Sequence, residues 1–283
     1  MTTVAEVQFF EFDGGRLAYR KYGSGPTALL AFHGFGQDSQ IYLPLEKSVG
    51  DLYSIYAIDL IFHGSSTYAD HELLTKRDWQ RLIDNFLRTQ SVQQFSLVGF
   101  SLGGRFALSA AESFPLRLNQ LILIAPDGIT QSVWYRLATG SGIGRWLFRY
   151  VLKHLSVLSY IGIGLTKLGL LNRTAMRFAE LSLGTPEQRN LVYKSWTRFR
   201  LITPDLGNIS VLLNQQQVPV YFFVGTFDRI IPAHYILPLT KKLMHFEVTV
   251  LKTGHNHLID LAANHLTERS FQHMPKPGNG NKD

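Results

Sequence analysis

The chain contains no cysteine, which excludes disulfides and thiolate metal sites. It also lacks a clean apolar run of the roughly 20 residues that a membrane-spanning helix needs. The nearest approach, residues 155–171, is interrupted by Gly162, Gly164, Lys167 and Gly169, which suits a segment packed on the core and lining an apolar tunnel. Acidic residues are scarce in one region. Between 128 and 204, only Glu180 and Glu187 stand against eleven Lys and Arg, a net charge of +9, while the whole chain carries +7. The basicity therefore belongs to that segment. No compact nucleic-acid motif accompanies it, so nucleic acid is not an expected partner. Residues 1–6 have neither the basic nor the apolar region of a secretory signal, and cytoplasm is the expected location.

What is present is a core. At 283 residues and 45% hydrophobic content, the chain suits one domain carrying an insertion. Apolar runs predict strands near 7–12, 16–22, 27–32, 54–59, 95–100, 120–125, 218–224 and 246–251. Helical spacing predicts helices near 41–49, 76–90, 102–114, 233–243 and 258–272. Strands alternating with helices from residue 27 onwards imply an α/β fold, with a mostly parallel sheet covered on both faces and a site at its carboxyl edge. Residues 128–212 break the alternation with helical periodicity alone and read as a lid.

The most informative run is Leu97-Val98-Gly99-Phe100-Ser101-Leu102-Gly103-Gly104. An apolar strand, G-x-S-x-G and a helix follow one another, the context of a nucleophile elbow. A serine hydroxyl becomes a useful nucleophile only when it is exposed, relieved of its proton and given donors for the oxyanion it creates. The turn would expose Ser101, and Leu102 would offer a backbone N–H at the helix N-terminus.

A base and an acid are then needed. Asp228 follows the strand at 218–224, and His255 follows the strand at 246–251, so both fall at the carboxyl edge. Asp127, just after the strand at 120–125, competes for the acid role, and His257 for that of the base. At the front of the chain, the strand at 27–32 runs into His33-Gly34-Phe35-Gly36. Phe35 N–H is the natural second oxyanion donor, and His33 is expected to hold the loop. Trp134 and Tyr135, at the entrance to the lid, and Arg105, one turn after Ser101, are candidate substrate contacts.

In order along the chain, H-G-F-G at 33–36, D-L-x-x-H-G-x-S at 59–66, G-F-S-L-G-G at 99–104, G-x-x-D-x-x-x-P at 225–232 and G-H at 254–255 resemble the serine α/β-hydrolases, particularly carboxylesterase- and lipase-like members. One position departs: Phe62 stands where that family usually carries Gly before His-Gly. The resemblance implies an α/β-hydrolase fold, with a mostly parallel eight-stranded sheet flanked by helices and an inserted helical cap. The core would comprise 1–127 and 213–274, the cap 128–212, and a disordered tail 275–283. It also implies a Ser101–His255–Asp228 triad with Phe35 and Leu102 as oxyanion hole, acting on an ester of a small to medium hydrophobic acid without metal or cofactor.

Two other functions are compatible with this scaffold. The elbow, with Arg105 and the basic lid, also resembles menaquinone-pathway synthases that act on an anionic small molecule. A non-catalytic ligand receptor could retain the same fold. For the stripe Arg145, Arg149 and Lys153 on the lid, three readings stand: a solvated face, contact with an anionic membrane, or recognition of an anionic substrate group.

Overall fold

A computed structural model describes residues 5–69, 73–154 and 183–272. Nine strands form one sheet. They are β1 (Gln8–Phe12), β2 (Gly15–Tyr22), β3 (Thr27–Phe32), β4 (Tyr53–Ile58), β5 (Thr67–Tyr68), β6 (Phe95–Phe100), β7 (Leu118–Ile124), β8 (Val220–Gly225) and β9 (Phe246–Leu251). Eight run in the order β1-β2-β4-β3-β6-β7-β8-β9, and the two-residue β5 pairs with β2. β1–β2 and β2–β4 are antiparallel, and every pair from β4–β3 to β8–β9 is parallel. Strand order reverses at β3, with β4 on one side and β6 on the other. In an open α/β sheet, the crevice above such a reversal is where ligands bind.

β6 is buried along its whole length, as a largely apolar strand between two parallel neighbours should be. Helices α1 (Leu43–Val49), α2 (Lys76–Thr89) and α3 (Leu102–Ser113) follow β3, β5 and β6. The sequence of α2 accounts for its bounds and its face. Thr75 caps it through Asp78 N–H while the Asp78 carboxylate accepts from Thr75 N–H, a reciprocal box worth about 1 kcal/mol. Trp79, Leu82, Ile83, Phe86 and Leu87 then recur at helical spacing, and all are buried.

Three further helices lie off the sheet: α4 (Val133–Gly140), α5 (Gly142–Lys153) and α6 (Pro186–Arg198). Leu152, Leu183 and Val192 form a separate small core there, joined by Phe148, Tyr193, Trp196 and, from below, Phe35. The apolar run 155–171 and the tail 275–283 lie outside the described residues.

The chain returns through α7 (Leu206–Gln215). The boundary expected at 212 falls inside this helix, whose Ile209 and Leu213 belong to the same buried cluster as Phe106 of α3 and Phe222 of β8. Helical periodicity does not say what a helix packs on, so the sequence alone could not separate α7 from the helices before it. The helix predicted at 233–243 is in fact a 3-10 turn, Ala233–Ile236, followed by the single turn α8 (Leu237–Thr240). The last described helix, α9 (Leu258–Gln272), packs beside α1 on the opposite face of the sheet from α2, α3 and α7.

Candidate active site

Ser101 sits between β6 and α3 with φ 50° and ψ −118°, a conformation L-residues rarely adopt. Such strain costs about 1–3 kcal/mol and persists only when neighbours impose it. Here three backbone bonds do so. Ser101 N–H donates to the Ile124 carbonyl at 3.0 Å, while its own carbonyl accepts from Gly104 at 2.9 Å and Asp127 at 2.8 Å. The elbow is thereby tied to the end of β7. It is also pressed against β3, because a Cβ on Gly103 would collide with the Phe32 carbonyl. The same Cβ would lie 2.8 Å from the His33 carbonyl, so the first turn of α3, which begins at Leu102, starts beside the 33–36 loop. The N–H groups of a first helical turn have no partner within the helix.

His33 anchors this loop. Its ring is fully buried, Nε2 accepts from Leu60 N–H at 2.9 Å, and Nδ1 lies 2.7 Å from the Gly34 carbonyl. A ring accepting at Nε2 must carry its proton on Nδ1, which then donates to Gly34. Burial, opposed only in part by the Gly34 carbonyl and Asp38, pushes its pKa down to about 4. His63 is also buried, and burial with the adjacent His33 lowers it to about 3. Asp59 knits the neighbouring loop, accepting from Ser39 N–H at 2.7 Å and Ser65 N–H at 2.9 Å.

Asp228 and His255 come together from loops after β8 and β9. His255 Nδ1 lies 2.6 Å from Asp228 Oδ2, with the carboxylate fully buried. Asp228 Oδ1 accepts from both Ile230 and Ile231 N–H at 2.9 Å, which fixes the carboxylate plane. The Phe100 ring packs 4.9 Å from the imidazole, so the residue before Ser101 also supports His255. Sequence reasoning did not single out Phe100 for this, since its position in an apolar strand already accounts for it.

Asp127, the competing acid, is engaged elsewhere. Its Oδ2 accepts from Arg105 at 2.5 Å, and Arg105 donates at 2.8 Å to the Tyr135 hydroxyl, above whose ring it lies. Tyr135 OH donates in turn to the Trp196 carbonyl at 3.2 Å. The three groups link α3, the β7 edge and the helices α4 and α6. Arg105 is buried and its guanidinium is held by these partners, leaving only Nε without one. Trp134, the other residue expected at the pocket, is half exposed at the start of α4. Phe62 takes the left-handed conformation, φ 69°, that a Gly would adopt freely. Its ring stacks on Phe199 at 5.7 Å and lies edge-on to Tyr68 at 6.3 Å. Among the described residues, no group of three or more His, Asp or Glu is arranged to hold a metal ion.

A model of the alpha/beta hydrolase family matches residues 29–265. The chain belongs to this family. A Mycobacterium tuberculosis protein is 33% identical over 137 residues, covering 47% of this chain and 39% of that protein. The chain thus spans well under half the length of those mycobacterial relatives. The pimeloyl-[acyl-carrier protein] methyl ester esterase of Legionella pneumophila is 28% identical over 229 residues, covering 80% of this chain and 86% of the relative. Among solved structures, naproxen esterase from Bacillus subtilis superposes with a TM-score of 0.61 at 16% identity, covering 96% of this chain and 92% of that one. At that identity the superposition establishes the alpha/beta hydrolase fold. No helix among the described residues is long and apolar enough to cross a membrane.

Proposed function

We propose that this alpha/beta hydrolase is a serine esterase that cleaves a carboxylic ester of a small to medium hydrophobic acid. The observation that carries the reading is the pairing of a strained Ser101 elbow with an Asp228–His255 couple 2.6 Å apart at the same sheet edge. Esterases among the relatives and structural neighbours support the bond type. The apolar cluster of Phe35, Phe148, Leu152 and Trp196 supports a hydrophobic acyl group.

In this mechanism, Asp228 holds His255 with its proton on Nδ1, leaving Nε2 free to accept. His255 takes the Ser101 proton as Oγ bonds to the ester carbonyl carbon, whose π electrons move onto oxygen. Phe35 and Leu102 N–H groups stabilise that oxyanion, an interaction whose loss typically lowers the rate by about 10²–10³. The tetrahedral species collapses, the bond to the alcohol oxygen breaks, and His255 donates its proton to that oxygen. Water then attacks the acyl-enzyme through the same steps, releasing the acid and restoring Ser101.

The test is hydrolysis of p-nitrophenyl esters from acetate to palmitate by wild type and Ser101→Ala. A serine-dependent optimum in chain length supports the proposal and measures the acyl pocket. Folded wild type that neither turns over any ester nor reacts with a fluorophosphonate would overturn it.

A further inference from the structure

The outer face of the lid carries exposed apolar side chains that a solvated helix pair has no need of. On α5, Ile143, Trp146, Leu147 and Tyr150 recur at i, i+3, i+4 and i+7, and all are exposed, Ile143 to 80% and Trp146 to 67%. Val133 and Leu137 extend the surface along α4, at one-turn spacing and more than half exposed. Single exposed apolar residues are ordinary. A contiguous aromatic and aliphatic stripe over two adjoining helices marks a contact surface. The stripe is not the inward face of α5 left uncovered by chance. Phe148 and Leu152 supply that inward face, against Val192 and Phe35.

Charge identifies the occupant. Arg145, Arg149 and Lys153 follow one another at i+4 along one flank of the exposed stripe. Arg145 is tied back to the Thr139 carbonyl at 2.8 Å, while Arg149 and Lys153 are exposed. Arg149 and Lys153 also line a cleft of about 480 Å³ between α5 and α6, with Arg189 on its far wall and no carboxylate among its described lining residues. A tryptophan and a tyrosine beside aliphatic side chains, bordered by cations, is the composition that settles at a lipid headgroup boundary. The cleft has the charge to receive a phosphate.

We infer that the α4–α5 hairpin docks on an anionic phospholipid surface, lying on the bilayer with the Ile143–Tyr150 stripe at the acyl boundary and Arg149 and Lys153 among the headgroup phosphates. Phe35 packs against the small core to which Leu152 of α5 belongs, so the docked face lies about one helix diameter, roughly 10 Å, from the core that adjoins the candidate oxyanion loop. The lipid surface would then adjoin the mouth of the site. This inference does not depend on the esterase reading, because its readout is binding.

Flotation with phosphatidylcholine vesicles, with and without phosphatidylglycerol, tests it, using Trp146 emission as a second readout. Wild type should float with the anionic vesicles and shift its emission to the blue. Arg149→Ala with Lys153→Ala should weaken partition onto them by roughly 25-fold, at about fivefold per cation, and leave the neutral vesicles unaffected. Trp146→Ser with Leu147→Ser should weaken both by about tenfold or more. Both variants change exposed positions, and unchanged thermal unfolding would show that they are folded. Wild type that stays at the bottom with anionic vesicles overturns the inference. So does equal binding by wild type and both variants. Self-association that vanishes in the Trp146→Ser, Leu147→Ser variant, without vesicle binding, would assign the face to a second copy of the chain and equally overturn it.

Discussion

Mild acid should destabilise this protein through two histidines that the proposed chemistry does not use. His33 and His63 are buried with ring centroids 5.3 Å apart, and burial is the main force lowering their pKa values to about 4 and about 3. In an unfolded chain both would titrate near 6.5. Between those limits the unfolded state binds more protons than the folded one. Stability is therefore fully present above pH 6.5 and falls as pH drops towards the folded values. At pH 5 the difference is about 2 kcal/mol for each ring and about 4 for the pair, a large share of the stability of a typical domain. Protonation also has a local meaning. Nε2 of His33 accepts from Leu60 N–H, and a proton there would set two donors against each other and release the loop that carries Phe35.

Urea unfolding at pH 7, 6 and 5 measures this, in a range where ordinary carboxylates remain ionised. His33→Gln is the control, since the amide oxygen can accept from Leu60 without titrating. Its stability should fall with pH only about half as steeply as that of wild type. A wild-type stability that stays flat from pH 7 to 5, or a variant slope equal to wild type, would refute the argument.

Asp228→Asn should lower kcat by about 10⁴ with little change in thermal unfolding, because an amide N–H facing His255 Nδ1 moves the ring proton to Nε2 and removes the base; the rate of fluorophosphonate labelling should fall with it. Arg105→Met should cost about 3 kcal/mol in urea unfolding, near the low end for a buried pair because Asp127 keeps a quarter of its side chain in water, and adding Asp127→Asn should recover part of the loss. Phe62→Gly should relieve about 1 kcal/mol of backbone strain and lose more than that in contacts with Phe199 and Tyr68, for a net destabilisation of about 1 kcal/mol by thermal unfolding. A more stable Phe62→Gly variant would mean that those ring contacts contribute little.

The features legible in the sequence are those with short-range causes. The elbow announces itself because a strand, a turn with no room for side chains and a helix start must all occur within eight residues. Asp228 and His255 were readable because each lies within a few residues of the end of a strand, and a parallel sheet delivers all such positions to one edge. The tie among Arg105, Asp127 and Tyr135 was not readable. Its other members stand 22 and 30 residues from Arg105, with no periodicity linking them. The placement of α7 was hidden for the same reason, since an apolar stripe fits any complementary surface. Phe62 shows both sides at once. The family resemblance marks that position for Gly, and the backbone does adopt a positive φ there. The side chain persists because Phe199, over a hundred residues away and fully buried just after α6, gives its ring a surface to stack on. A break in that pattern therefore pointed to a tertiary contact between the 59–66 loop and Phe199, which no motif in the chain encodes.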